Sequence, residues 1–315
     1  MKPVLAFGEA LIDLLQDPRE PGLYRRHAGG APANVAVGVA RLGGQAALMG
    51  MLGCDAFGEF LADELRRYGV DGRWLQRTRE APTALAVVSL DARGERSFGF
   101  YRPPAADLLM TADLVDPAAF ADAPCLHLCS NSLTHEPARG ATLRALELAH
   151  RHGCLVSIDV NWRPGLWPAG VDARAVLLPL LREAHVLKFS AEEWEWLDGG
   201  GDGLARHCFG GRAELLVVTD GPNPVRTMSR HGAGTHAVPS CAAVDTTAAG
   251  DAFVAGLLHR LCAHDVGPDQ LARALADPAW LGAQVAFAAR CGARACMAYG
   301  AFAALPSLAE VGGTA

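Results

Sequence analysis

The chain has 315 residues, 50% of them apolar and 20% charged, a globular composition long enough to bury a large core. Its net charge of −6 excludes a global attraction to nucleic acid or to acidic membranes, so an anionic ligand would need a local device to hold it. No apolar run reaches the ~18 residues of a transmembrane helix, and nine scattered cysteines without a CxxC pair, beside 11 histidines without HExxH, point away from disulfide frameworks and structural metal.

In chain order, residues 4–7 predict a short buried strand in place of a secretory leader, and with it a cytoplasmic protein. Residues 33–42 predict a helix stopped at Gly43-Gly44, 46–51 a second apolar strand, and 57–68 an amphipathic helix ending at Gly69. Residues 83–90 and 97–101 are β-rich and flank a turn at 91–94, which predicts a hairpin. Regular alternation follows, with strands at 125–129, 154–159, 185–189 and 215–219 and helices at 138–152, 173–183 (interrupted by Pro179) and 192–197. A second hairpin is predicted from 224–229 and 235–238, then mostly helix from 249 to about 294. Such alternation means βαβ units around a largely parallel sheet covered on both faces, an α/β fold. The early hairpin and the segment after Asp13 stand outside it. They predict a small discontinuous β lid, approximately 13–30 and 83–106, on a single domain spanning 1–315.

The strongest chemical signal is Val244-Asp245-Thr246-Thr247-Ala248-Ala249-Gly250-Asp251-Ala252-Phe253-Val254-Ala255-Gly256, a small-residue turn running into an apolar helix. Backbone N–H groups of residues 248–251 would lie at that helix's N-terminus and, with the helix dipole, suit a phosphate without a basic side chain. Asp251 in the first turn stands where a base could take a proton from a hydroxyl attacking that phosphate. Spacing alone leaves a second account open: Asp245 or Thr246 caps the helix and Asp251 merely complements its dipole.

The run resembles the C-terminal signature of the ribokinase-like (PfkB) carbohydrate kinases, D-T-T-G-A-G-D-x-F-x-x-G. That resemblance implies a ribokinase-like three-layer α/β/α sandwich with a mostly parallel central sheet. It makes Asp251 the catalytic base and Ala248, Ala249 and Gly250 the anion hole, with Ala248 and Gly250 also on the nucleotide phosphates. Ala248 stands where the family usually has Gly, so the turn is expected to be altered there or helical in φ.

A second signature agrees. Gly29-Gly30-Ala31-Pro32-Ala33-Asn34-Val35-Ala36 resembles the family's G-G-A-P-x-N-x-A, and Gly53-Cys54-Asp55-Ala56-Phe57-Gly58 its G-x-D-x-F-G. Neither GxGxxG nor GxxxxGK[ST] occurs. The resemblance places Asp13, Gly29, Gly30 and Asn34 on sugar hydroxyls. Asp159-Val160-Asn161-Trp162-Arg163 matches a D-x-N-x-R of fructokinase and ketodeoxygluconate kinase members, which puts Asn161 and Arg163 on the phosphoryl path. Val217-Val218-Thr219-Asp220-Gly221 resembles a strand end that contacts nucleotide, giving Thr219 and Gly221, with Lys188 as local positive charge. Ser190-Ala191-Glu192-Glu193 aligns with N-x-x-E, where Glu193 would order Mg²⁺ through water and Ser190 replaces Asn. Asp245 and Thr247 match a loop that in many members binds a monovalent cation such as K⁺, and Ala289 replaces an Asn near the adenine site.

The stretch from Phe98 through Tyr101-Arg102 to Ala106-Asp107, and the one from Ser130 through Ser132 to Glu136-Pro137, resemble fructokinase members most. They add Tyr101 and Arg102 to the expected sugar contacts. The implied reaction is ATP-dependent phosphorylation of fructose to fructose 6-phosphate. Ketodeoxygluconate kinase, ribokinase, nucleoside kinase and a catalytically silent sugar-binding regulator are the rivals. The implied partners are the sugar and ATP, without nucleic acid or membrane, in a homodimer joined through the lid.

Overall fold

Strand positions alternate between two cores: Val4 and Ala6 belong to one, Leu5 and Phe7 to the other. A period of two with both faces buried is the mark of a strand sandwiched between helices. The computed structural model describes residues 3–17, 20–90, 96–199, 201 and 203–312. The chain runs through β1 (Val4–Phe7), β2 (Leu11–Asp17), β3 (Glu20–Gly29), α1 (Ala31–Arg41), β4 (Ala46–Gly53), α2 (Ala56–Arg67), β5 (Leu75–Thr78), β6 (Leu85–Leu90) and β7 (Arg96–Tyr101). It continues with α3 (Ala118–Ala121), β8 (Cys125–Cys129), α4 (Ala138–Arg151), β9 (Leu155–Asp159), α5 (Ala173–Leu181), β10 (Val186–Ser190), α6 (Ala191–Asp198) and α7 (Gly203–Phe209). The last elements are β11 (Leu215–Asp220), β12 (Asn223–Ser229), β13 (Gly232–His236), α8 (Ala249–Ala263), α9 (Pro268–Ala274) and α10 (Pro278–Ala295).

A nine-stranded sheet has the order β13-β12-β11-β10-β9-β8-β1-β4-β5, parallel from β11 to β5 and closed at one end by the antiparallel β12 and β13. Helices α1, α2, α8, α9 and α10 share the core of one face, and α3 to α7 that of the other. A second sheet, β3-β2-β6-β7, pairs β2 with β6 in parallel and the rest antiparallel, so it draws on two separate stretches of chain. Leu11, Ala84, Ala86 and Ala105 form its own small core.

Most predicted elements are present with ends shifted by one to three residues, the usual fraying of helix and strand termini. Pro179 lies inside α5 without ending it. The β segment expected over 13–30 resolves into parts of two strands, β2 and β3, whose individual bounds were not predicted; β5 and the short helices α3 and α7 were not expected, and β5, Leu-Gln-Arg-Thr, is too short to show a period. The predicted turn at 91–94 lies outside the described residues.

One helix contact fixes geometry used below. In α1, a Cβ on Gly38 would fall 2.5 Å from the Cβ of Ala255 in α8, so the two helices can approach this closely only with glycine there.

Candidate active site

Helix α8 opens at Ala248, which has φ 59° and ψ 11° and no side-chain cap. The capping account of Asp245 and Thr246 is therefore set aside. Asp245 instead accepts the Thr247 N–H at 2.8 Å and the Gly300 N–H at 3.0 Å. The expected alteration at Ala248 is corrected as well: the turn keeps a left-handed residue, and alanine takes it. An L-residue in that region costs roughly 1–2 kcal/mol. Ala248→Gly is expected to relieve part of this and to raise Tm by about 1–2 °C for a chain of this size. A lowered Tm, measured by calorimetry, would show the turn to be unstrained.

The first-turn N–H groups of a helix lack intrahelical acceptors, and Asp251 sits among them. Its Oδ2 accepts a 2.7 Å hydrogen bond from Asn34 Nδ2 of α1. Burial, then the neighbouring Asp159, pushes the Asp251 carboxyl up to about 6, against the pull of Asn34, Lys188 and Arg163. Lys188 and Asp159 are register partners on β10 and β9, and Lys188 Nζ donates to both Asp159 oxygens at 3.0 and 3.1 Å. The ammonium is held beneath the turn, 3.0 Å from where a Cβ on Gly250 would stand. A positive charge, a helix N-terminus and a carboxylate near its proton-accepting range thus meet at one point.

Asp13 on β2 joins the same electrostatic group. Burial first, then Asp251 and Asp245, raises its carboxyl to about 7, while Arg163 opposes the shift. Gly29 lies directly against the Asp13 carboxylate. Gly30 has φ 104°, and a Cβ there would stand 2.6 Å from the Glu9 carbonyl oxygen, so no other residue fits this turn. Asn161 is buried with φ 40°, and Arg163 beyond it is exposed.

The other two expected sugar contacts, Tyr101 and Arg102, sit side by side at the end of the hairpin in opposite settings. Tyr101, at the end of β7, is 65% exposed. Arg102 turns inward: its side chain is 2% exposed, pairs with Asp107 at 2.6 Å and donates to the Asn131 carbonyl at 3.0 Å. A sugar could touch that guanidinium only after displacing these partners, so Arg102 is best read as a brace under the hairpin.

On the nucleotide side, Thr219 Oγ1 donates to the Phe189 carbonyl at 3.3 Å and Gly221 turns the chain into β12 with φ 52°. Ser190 and Glu193 form a capping box on α6: Ser190 Oγ accepts the Glu193 N–H at 3.1 Å, and Glu193 Oε2 accepts the Ser190 N–H at 2.7 Å. Glu193 Oε1 takes the Trp162 N–H at 2.7 Å, which ties α6 to the segment carrying Asn161 and Arg163. Ala289 is buried in α10.

Asp159 had no expected role of its own. The available signal was that Asp159 and Lys188 each interrupt an apolar run near the C-terminal end of a predicted strand, the edge where parallel sheets bind ligands.

A parallel sheet with this turn and carboxylate at the C-terminal ends of its strands defines an α/β kinase of small molecules, with the ribokinase type of fold. The pfkB family carbohydrate kinase model matches residues 1–306, and the chain belongs to that family. It is 41% identical over 306 residues to a fructokinase of Klebsiella pneumoniae, covering 96% of each chain. Among solved structures it is similar to the ATP-bound fructokinase of Xylella fastidiosa, at 43% identity and TM-score 0.95, covering 98% of this chain and 96% of the other. It is also similar to the Vibrio cholerae O395 fructokinase with fructose, ADP and calcium ion bound, at 34% identity and TM-score 0.88, over 99% and 98% of the two chains.

Proposed function

We propose that the protein transfers the γ-phosphate of ATP to fructose, giving fructose 6-phosphate, with Asp251 as the base. The observation that carries this is the placement of Asp251: in the first turn of α8, hydrogen-bonded to Asn34, with the Lys188–Asp159 pair behind it. The fructose assignment is supported by the fructokinase relatives and by the fructose and ADP in the Vibrio structure.

Asp13 and the turn at Gly29 and Gly30 orient the sugar. Asp251 takes the proton of its hydroxyl as that oxygen attacks. The N–H groups at Ala248, Ala249 and Gly250 receive charge developing on the transferred group, and Lys188 and Arg163 add to the field. Thr219 and Gly221 serve the nucleotide. Mg²⁺, carried with ATP, would neutralise phosphate charge when bound. Among the described residues no group of three or more His, Cys, Asp or Glu could hold a metal, which fits an ion held mainly by phosphates and water. The Glu193 carboxylate, fixed by two backbone N–H groups, is a hard-oxygen group suited to ordering such a water. The loop of Asp245 and Thr247 is assigned to a monovalent cation, K⁺ in particular.

The second sheet is assigned as a lid that closes over the sugar and excludes water, sparing ATP from hydrolysis. Leu23 and Tyr24 of its edge strand β3 are exposed, which supports pairing of lids in a homodimer. No helix among the described residues is long and apolar enough to cross a membrane, and cytoplasmic residence is part of the proposal.

ADP release with a panel of fructose, 2-keto-3-deoxygluconate, ribose and a nucleoside tests the substrate; turnover of ketodeoxygluconate but not fructose overturns the assignment. The pH profile is a second test. A base must be deprotonated, so kcat/KM is expected to decline from about 7 as Asp13 gains its proton and to steepen below about 6 as Asp251 does. A profile flat down to about pH 5 would remove Asp251 from the role of base.

A further inference from the structure

We propose that Glu9 is a positioning residue for the sugar site, cross-tying points where the chain enters and leaves the second sheet. That sheet joins the main one at four crossings: 8–10 into β2, Gly30 out of β3, 79–84 into β6, and Arg102 out of β7. Glu9 belongs to the first and meets two of the others. Its carbonyl oxygen supports the second, since a Cβ on Gly30 would stand 2.6 Å from it. Its side chain reaches the fourth through the turn after β8, Ser130–Leu133. Asn131 Nδ2 donates to Glu9 Oε1 at 3.0 Å, and the Asn131 carbonyl accepts from Arg102 Nη2 at 3.0 Å and from Thr134 Oγ1 at 2.9 Å. Arg102 Nε donates to Asp107 Oδ2 at 2.8 Å. The third crossing is held apart from this chain of contacts: Asp55 accepts the Thr83 N–H at 2.7 Å and the Thr83 hydroxyl at 2.9 Å.

Glu9, Asn131, Arg102, Asp107 and Thr134 are all buried, Glu9 at 2% exposure. A buried polar cluster holds one shape only when its members satisfy one another. Arg102 and Asp107 cancel each other's charge. Glu9 Oε2, Asn131 Oδ1 and Asp107 Oδ1 are buried acceptors without a hydrogen-bond partner. An ionised Glu9 would add an uncompensated charge to this group and leave it short of a donor. The neutral acid supplies that donor and keeps Oε1 for Asn131. Burial raises the Glu9 carboxyl accordingly, against the pull of Arg102. Glutamine offers the same acceptor and donor; alanine offers neither. Asp13 follows Glu9 by four residues, and Gly30 rests on its backbone, so loosening Glu9 displaces both groups that orient the sugar. Thr219 and Gly221, beyond β8, β9 and β10 along the sheet, keep their places.

The role of Glu9 rests on the lid reading of the second sheet, and the experiment separates the two. Hydrogen–deuterium exchange is followed on the whole protein in peptides from β2, β3 and β7, with and without fructose, alongside steady-state rates. The parent should gain protection there with fructose. Absence of that gain removes the lid reading alone, because exchange in the sugar-free variants still decides Glu9. Without sugar, Glu9→Ala should exchange on the order of tenfold faster in β2 and β7, with β9 and β10 unchanged. Its fructose KM should rise on the order of tenfold, while the ATP KM stays within about twofold. Glu9→Gln should restore both readouts. Asn131→Ala cuts the side-chain link but keeps the carbonyl that holds Arg102, so it should reproduce the Glu9→Ala result, and it carries the test if Glu9→Ala does not fold. Parental exchange in these alanine variants overturns the proposal. So does an equal rise in both KM values, the sign of a general structural loss, and so does a Glu9→Gln protein that behaves like Glu9→Ala.

Discussion

Asp251→Asn is expected to lower kcat by at least ~10²-fold while leaving sugar affinity nearly unchanged. Asparagine is close in shape and keeps an oxygen to accept from Asn34, so the 2.7 Å contact between α1 and α8 has no reason to break. It cannot take a proton from the attacking hydroxyl. The same substitution has an effect on stability that a merely structural aspartate would not show. The Asp251 carboxyl is raised from 3.8 to about 6, so the folded state binds its proton more tightly than the unfolded state does. Its contribution is complete below about pH 4 and lost as pH rises through about 6, leaving the folded protein to carry a buried negative charge above that. Asparagine does not ionise, so the variant should be more stable than the parent near neutral pH by on the order of 1–3 kcal/mol. The difference should vanish toward pH 4. Single-turnover kinetics and thermal unfolding at two pH values read both effects. Near-parental turnover would remove Asp251 from the chemistry, and an unchanged Tm at neutral pH would remove the electrostatic strain.

Lys188→Met is expected to cost about 3–5 kcal/mol of stability, because it leaves the Asp159 carboxylate without its ion-pair partner in the interior. Asp159 is 1% exposed and receives both of its Lys188 bonds along adjacent parallel strands. Activity should fall as well, for two reasons. The positive charge beneath Gly250 disappears, and Asp251 loses one of the groups that hold its pKa down, so the acid limb of the rate profile should move to higher pH. The double variant Lys188→Met with Asp159→Asn separates these roles. Removing both charges should recover much of the stability and little of the activity. Denaturant unfolding and initial rates on the three proteins test this, and a single Lys188→Met variant as stable as the parent would contradict the buried-pair account.

The sheet and the catalytic turn were legible because both rest on local patterns. Apolar runs alternating with amphipathic helices define the βαβ framework, and the small-residue approach to Asp251 reads as a helix N-terminus without any distant information. The remaining features depend on long-range contact. Asn34 was expected to face the sugar, yet it lies 217 positions from Asp251 in sequence and donates to it directly. Arg102 was expected on the sugar too, but whether an arginine on a hairpin points outward depends on what lies beneath. Here that is Asp107 together with the Asn131 carbonyl. The pairing of Lys188 with Asp159 requires knowing that β9 and β10 are neighbours in register. The β lid was expected over 13–30, but the bounds of β3 were not legible, because its Leu23 and Tyr24 are exposed and it lacks the buried alternation by which strands are delimited.

The close approach at Gly38 gives the enzyme a mechanical tolerance. Asn34 stands one helical turn before Gly38 on α1, and Asp251 one turn before Ala255 on α8. The spacing of the two helix axes is thus transmitted, with almost no slack, to the hydrogen bond that aims the base. A single methyl group added at Gly38 would act as a shim between the helices, wedging Asn34 from Asp251 while touching neither. A substitution at this buried, chemically inert position would therefore cost stability, by about 1–3 kcal/mol, and speed together.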